Sequence, residues 1–253
     1  MPFDSASPWF LQTWAADAPP RLRIFCFPHG GAGPSVFRGW GAFVASDVEV
    51  VPVQLPGRER RTTEPLARSI AELRDRIVGP LIECAENIPY AFVGHSMGAL
   101  IAYELCHELR DAPNPPAALA VTGSAAPHLP RRVPEVRHLP DDELLDHLSY
   151  LNGTPAELLT DLSWLNLLLP VLRADFTACE DYVPADRPPL DLPMLAMGGT
   201  DDPLVTPDEV RHWQDLNASS TAVRFFDGDH FFVFQHAEEV LAIVERAARG
   251  VDR

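Results

Sequence analysis

Gly94-His95-Ser96-Met97-Gly98 fits the pattern G-x-S-x-G, with an apolar run, Tyr90 to Val93, before it and a helical run, Ala99 to Leu109, after it. A serine on such a strand-to-helix turn is lifted above the sheet, and glycines flank it because side chains would strike neighbouring backbone in so tight a bend. Ser96 is therefore a candidate nucleophile. A serine hydroxyl needs a base to take its proton, and the base needs a carboxylate to fix its tautomer. On a site of this kind the groups follow in the order serine, acid, histidine. His230, in Asp227-Gly228-Asp229-His230-Phe231-Phe232, directly follows a strand and is the expected base, whereas His236 falls in the start of a helical pattern. Gly198-Gly199-Thr200-Asp201-Asp202-Pro203 follows another strand and offers two carboxylates. Asp202 is the expected acid, and Asp201 is expected to face solvent or cap the turn. The charge that develops on an attacked carbonyl oxygen needs fixed donors. The N–H of Met97 and, from the glycine-rich segment His29 to Gly33, the N–H of Gly30 are expected to supply them.

Other chemistries find less support. The His29–Gly33 segment has neither the G-x-x-x-x-G-K-[ST] nor the G-x-G-x-x-G spacing of phosphate-binding loops. H-E-x-x-H is absent and the nine histidines are scattered, so no metal and no cofactor are expected. The four cysteines lie far apart with no C-x-x-C pair, which suits reduced thiols in a cytoplasmic protein. The net charge of −16 makes the chain a poor binder of nucleic acid or anionic membrane. Its N-terminus shows no basic segment followed by an apolar one, and no apolar run is long enough to span a bilayer. A monomer is expected.

The elements that must position these residues alternate. Strands are predicted over 21–27, 48–54, 90–93, 118–123, 190–197 and 222–226, and helices over 35–45, 66–86, 99–109 and 235–249, with a kink or break at Gly79-Pro80. After Ala126 the rhythm stops: 127–140 is rich in proline and arginine, and 141–182 reads as helices, PAELL among them. Alternation of this kind predicts an α/β fold with a mostly parallel central sheet covered on both faces. The chain, 1–253, is expected to form one domain, with a helical insertion at about 130–185 capping the serine. Trp164 and the leucines around it make that cap apolar on more than one side; most of them are expected to pack on the sheet, and an apolar underside would still admit an acyl chain. Arg58, Arg60, Arg61, Arg131 and Arg132 are expected to be solvated loop charge, the sharper alternative being a landing patch for an acidic partner.

Taken in order, Phe27-Pro28-His29-Gly30-Gly31-Ala32-Gly33, Gln54-Leu55-Pro56-Gly57-Arg58-Glu59, Gly94-His95-Ser96-Met97-Gly98, Leu172-Arg173-Ala174-Asp175-Phe176, Gly199-Thr200-Asp201-Asp202 and Gly228-Asp229-His230-Phe231-Phe232 form a specific set. It resembles the type II thioesterases that accompany modular polyketide and nonribosomal peptide synthetases, over nearly the whole chain. The resemblance implies an α/β-hydrolase fold with a flexible helical lid. It implies an editing role, in which stalled or aberrant acyl groups are hydrolysed from the phosphopantetheine arm of acyl or peptidyl carrier proteins, with Ser96, Asp202 and His230 as the triad. The family usually has alanine where this chain has Gly30. The set also resembles the animal thioesterase that releases medium-length chains from fatty acid synthase. The alternatives are therefore a medium-chain acyl carrier or acyl-CoA thioesterase, or a free-substrate carboxylesterase. A cyclase or acyltransferase, and a non-enzymatic binding module, stand further off.

Overall fold

The computed structural model describes residues 7–10, 20–151 and 161–250. Six parallel strands form one sheet: β1 (Leu22–Phe27), β2 (Val48–Pro52), β3 (Tyr90–His95), β4 (Ala118–Thr122), β5 (Met194–Gly199) and β6 (Thr221–Phe226), in the order β2-β1-β3-β4-β5-β6. The first five are buried along their whole length, as expected of continuous apolar runs covered on both faces. The register sets Phe27 beside Gly94, His95 beside Thr122, and Gly199 beside Phe226, so the carboxyl ends of the strands lie along one rim. In open parallel sheets that rim is where ligands bind.

Helices α1 (Ile70–Ala85) and α2 (Met97–Leu109) pack on one face, over Phe25, Phe27 and Phe92. The closing helix, α7 (Ala237–Ala248), covers the other, with Val240, Leu241 and Val244 against Ile24, Val50 and Val93. Between β4 and β5 lie α3 (Asp141–Leu151) and α4 (Leu162–Glu180), in the insertion anticipated from the sequence. The helix expected at PAELL lies outside the described residues. None of the described helices is long and apolar enough to cross a membrane.

Some elements differ from expectation. Residues 35–45 do not form one helix but two 3₁₀ turns, Pro34–Phe37 and Trp40–Phe43. Gly39, at φ 88°, ends the first and redirects the chain, and Phe37 and Trp40 bury edge-to-face with ring centres 4.9 Å apart. Helix α1 runs unbroken through Gly79-Pro80. Ile70, Leu73, Ile77, Leu81 and Cys84 keep one buried stripe in phase on both sides of the proline, and that burial outweighs one lost hydrogen bond. Two short helices were not anticipated: α5 (Pro207–Arg211) and α6 (Phe232–Gln235). The signal for α5 is present in the sequence as a capping box, Thr206 with Glu209, and Pro207 at the first helical position.

Gly98 lets α2 touch the sheet. A Cβ there would fall well inside contact distance of the Phe27 carbonyl, a backbone atom that cannot step aside. Gly98→Ala is expected to cost about 3 kcal/mol, the upper range for a core clash, and so to lower the thermal midpoint by about 6–12 °C. A calorimetric shift under about 2 °C, less than a 1 kcal/mol loss produces, would show that α2 is free to move outward.

Candidate active site

Ser96 joins β3 to α2 at φ 53° and ψ −115°, a conformation that costs a non-glycine residue about 1–3 kcal/mol. Its N–H donates to the Thr122 carbonyl at 2.8 Å, and its side chain borders a cavity of about 650 Å³. It precedes the first N–H groups of α2, which have no carbonyl one turn back.

His230 follows β6 on the turn expected and is 3% exposed. Its Nδ1 lies 2.8 Å from Asp202 Oδ2. The other carboxylate oxygen, Oδ1, accepts the N–H groups of Leu204 (2.8 Å) and Val205 (3.1 Å), so Asp202 is held at both ends. A carboxylate at Nδ1 fixes the tautomer that leaves Nε2 as an acceptor. Asp201 is exposed and accepts only the Thr200 hydroxyl, at 3.1 Å. Two contacts make the difference between neighbours: the Asp201 N–H donates to the Gly228 carbonyl, and Gly199 packs on the backbone of Gly228 and Asp229. The loop after β5 is thereby pinned to the loop after β6 with Asp202 facing inward. His236 is turned away, its Nε2 bonded to the Asp227 carbonyl. Ser96 and His230 line the same cavity, and the Ser96 hydroxyl has no hydrogen-bond partner among the described residues. Such bonds tighten only when substrate is present.

Two further imidazoles back this pair. His95 is fully buried, its Nδ1 3.1 Å from both the carbonyl and the hydroxyl of Thr122, and its ring centre is 5.1 Å from that of His230. His29 lies 5.8 Å from His95 and packs edge-on against Phe231. Burial pushes the pKa of His29 down to about 4 and that of His95 well below the usual range, and the neighbouring rings add to both shifts. Both are neutral at pH 7.

The loop after β1 comes up beside Ser96. The Gly31 N–H donates to Asp175 Oδ2 at 2.7 Å and the Ala32 N–H to the His29 carbonyl at 3.1 Å, while the Gly30 N–H, at the cavity wall, has no hydrogen-bond partner among the described residues. Gly30 lines the cavity beside Ser96, and Met97 follows Ser96 as the first residue of α2. Cavity walls come from Leu148 and Leu151 of α3, Trp164, Leu168 and Leu172 of α4, and Phe231.

The arginines correct the sequence reading. Arg58 and Arg61 are 6% and 4% exposed, neither solvated nor available as a landing patch. Arg58 forms a two-pronged pair with Asp175, and Arg61 pairs with Glu64 while lying 4.0 Å over the Trp9 ring. Arg60, Arg131 and Arg132 are exposed, as expected; Arg131 donates to the Cys179 carbonyl within the insertion, and Arg132 to the Leu204 carbonyl, which fastens the insertion to the body. Among the described residues, one group, His128, His212 and Asp215, sits close enough to share an ion, and none of the three lines the cavity.

The thioesterase domain family model matches residues 22–248. The chain is 38% identical over 247 residues to the gramicidin S biosynthesis protein GrsT of Aneurinibacillus migulanus, covering 96% of this chain and 94% of the relative. It is 32% identical over 224 residues to the medium-chain S-acyl fatty acid synthase thioesterase of Rattus norvegicus, covering 86% and 84%. Among solved structures it matches the type II thioesterase BorB from the borrelidin biosynthetic cluster with a TM-score of 0.86 and 32% identity, covering 95% and 97%. It matches the RedJ thioesterase of the prodiginine pathway of Streptomyces coelicolor with a TM-score of 0.82 and 37% identity, covering 96% and 98%.

Two neutral histidines, His95 buried and His29 half-buried, give the fold an acid limit. Unfolded, each takes up a proton near the ordinary histidine value of 6.5; folded, His29 does so only near 4 and His95 lower still. Stability is therefore full above about pH 6.5 and is lost as pH falls toward 4. Exposed His212, raised by Asp215, acts in the opposite sense but is screened by solvent. The urea midpoint is expected to drop between about pH 7 and pH 4.5, before the carboxylates titrate. A flat midpoint over that window would mean that these rings protonate in the folded state.

Proposed function

The chain belongs to the thioesterase domain family, as a type II thioesterase of polyketide and nonribosomal peptide synthetase systems, and from that premise we propose the route by which it works and the residues that carry it. It is a serine hydrolase of the thioesterase class that edits carrier-bound acyl and peptidyl groups. The observation that carries the assignment of residues is the His230–Asp202 pair, 2.8 Å apart and withdrawn from water, on the wall of the cavity that Ser96 borders. Ser96 Oγ attacks the thioester carbonyl while His230 Nε2 takes its proton. The Met97 and Gly30 N–H groups receive the oxyanion. The carbon–sulfur bond breaks, the phosphopantetheine sulfur leaves as the thiol, and an acyl-Ser96 ester remains. Water, deprotonated by His230, then releases the free acid and restores the hydroxyl. Neutral His29 and His95 beside His230 mean that the imidazolium formed at each step meets no second positive ring.

The whole chain is taken as one hydrolase domain, with the segment at about 130–185 as a lid whose underside, on α3 and α4, supplies the acyl pocket. Among the residues lining that pocket the charged side chains are Arg58, already paired, and Glu59. A second carboxylate on the acyl group would meet apolar walls and a like charge. Uncharged acyl groups are the substrates this favours, delivered on acyl or peptidyl carrier proteins.

Intact-protein mass spectrometry of acyl-loaded carrier proteins tests the assignment. Wild type should remove acetyl, propionyl and butyryl loads, malonyl at least about tenfold more slowly, given the cost of placing a charge against an apolar wall, and Ser96→Ala none of them. Equal or faster turnover of the matching acyl-CoA or of nitrophenyl esters would favour the alternative readings. Asp202→Asn should lower kcat by about 10³–10⁴, the scale seen when a triad carboxylate is neutralised, and Asp201→Asn should leave it within about twofold, as for an exposed side chain far from the reacting groups. Equal effects would reassign the acid.

A further inference from the structure

Asp175 is a carboxylate on the buried face of an apolar helix, 1% exposed, and it is not part of the triad. A charge so withdrawn from water is costly unless it is fully paired. It is fully paired. Oδ1 accepts Arg58 Nη2 at 2.9 Å, and Oδ2 accepts both Arg58 Nη1 at 2.6 Å and the Gly31 N–H at 2.7 Å. The guanidinium spends its remaining reach on the same neighbourhood, with Nη1 on the Ala32 carbonyl and Nε on the Pro56 carbonyl, both at 3.2 Å. Arg58 is itself fixed through its own carbonyl, which accepts Gln54 Nε2 at 2.9 Å.

These bonds bear on the loop that carries the Gly30 donor. The peptide after Gly30 ends in the Gly31 N–H, which Asp175 holds, and the carbonyl of Ala32, one residue further on, is held by Arg58. Gly31 stands at φ 81° with Leu172 of α4 so close that a Cβ would lie 2.5 Å from its Cδ2, and a Cβ on Gly30 would meet the Asp175 Cβ at 3.5 Å. The chain that directly follows the Gly30 N–H is thus gripped at two points by one ion pair whose acid comes from the lid helix and whose base comes from the loop after β2. Without Asp175, the Gly31 N–H would be free to compete for the oxyanion or to swing the peptide away from it. Donors must point at the oxyanion before it forms if they are to stabilise it fully.

We infer that Arg58 and Asp175 are positioning residues for hydrolysis: by binding the Gly31 N–H and the Ala32 carbonyl they aim the Gly30 N–H at the oxyanion, and they tie that aim to the docking of α4. This rests on the assignment of Ser96 and Gly30 made above. It extends it by making the lid helix part of the oxyanion device rather than only a roof over the acyl chain.

The test separates aim from fold. Steady-state hydrolysis of one acyl-loaded carrier protein would be measured for wild type, Ser96→Ala, Arg58→Lys, Asp175→Asn and the apolar double variant Arg58→Met/Asp175→Leu, each with its thermal midpoint. Replacing a buried ion pair by apolar residues of similar volume is often neutral or stabilising, so the double variant keeps the fold while losing both grips on the loop. Arg58→Lys keeps the charge and loses the fork. The double variant is expected to melt within a few degrees of wild type, to lose about 10²-fold in kcat, the scale of one oxyanion donor, and to keep KM within about twofold. Asp175→Asn retains an oxygen for the Gly31 N–H and should lose less, and Arg58→Lys should fall between. Affinity for a boronic acid that adds to Ser96 should fall in step with kcat, because that tetrahedral adduct uses the same donors. If the double variant recovers both its midpoint and its kcat, or if Arg58→Lys melts lower with unaltered kcat, the pair only holds the fold and the inference fails. Residual full activity in Ser96→Ala would instead overturn the assignment of the serine.

Discussion

A serine held at φ 53° is a strained residue, and strain of that kind survives only where the surroundings allow nothing else. Here the surroundings are the middle of the sheet. β3 has partners on both edges, the Ser96 N–H is drawn to the Thr122 carbonyl of β4, and α2 leaves the turn buried along almost its whole length. The helix comes so near because Gly98 meets the Phe27 carbonyl of β1 with no side chain between. Three adjacent strands therefore fix one backbone angle. The cost of the turn, about 1–3 kcal/mol, is offset by the burial of the apolar side chains of α2, each worth a comparable amount.

The other functional groups inherit their positions from the same arrangement. In a parallel sheet all strands leave at one rim, so residues distant in the chain arrive side by side there without any interaction selecting them. What remains is to fix each loop, and different loops use different means. Backbone contact at Gly199 and the Asp201 N–H locks the acid loop to the histidine loop. Side-chain charge locks the loop after β1, through Arg58 and Asp175. The first kind of lock is local and costs no desolvation; the second reaches across 117 positions of sequence and does.

That difference decides what can be read in advance. Ser96, His230 and Asp202 are legible because their signals are local: glycines at a bend, a strand followed by a polar turn, and a fixed order along the chain. The sheet is legible from apolar runs, and the insertion from the loss of rhythm after Ala126. Residues 35–45 mislead because their apolar spacing suits a helix, whereas the left-handed Gly39 breaks it. The Arg58–Asp175 pair does leave a signal in the sequence. Asp175 stands four residues after Val171 and three before Ala178, on the buried stripe of α4. A carboxylate in such a place requires a cation opposite it, though nothing local says which one.

The chemistry of arginine explains why Arg58 and Arg61, read as clustered loop charge, are buried. The chain has 20 basic residues and none is lysine. An ammonium is a compact, strongly hydrated point charge, whereas a guanidinium is a planar fork that satisfies several acceptors at once and gives up water more readily. In this protein the fork is used on backbone carbonyls as well as on carboxylates. Arg61 reaches the Gln54 carbonyl, Arg131 that of Cys179, and Arg173 those of Arg137 and Leu139. Each satisfies carbonyls of irregular chain or of a helix end, which have no ladder partner of their own. A run of arginines beside proline-rich loops is then a sign of fastening. The consequence falls on the insertion: α4 is bound to the body through Asp175, and to the 131–141 segment of the insertion through Arg173 and the Cys179 carbonyl, all beyond Pro170, while Leu162 and Leu167 on the other side of that proline are exposed. The half of α4 that reaches the loop after β1 is the half that is tied down, and the half before Pro170 presents Leu162 and Leu167 to solvent.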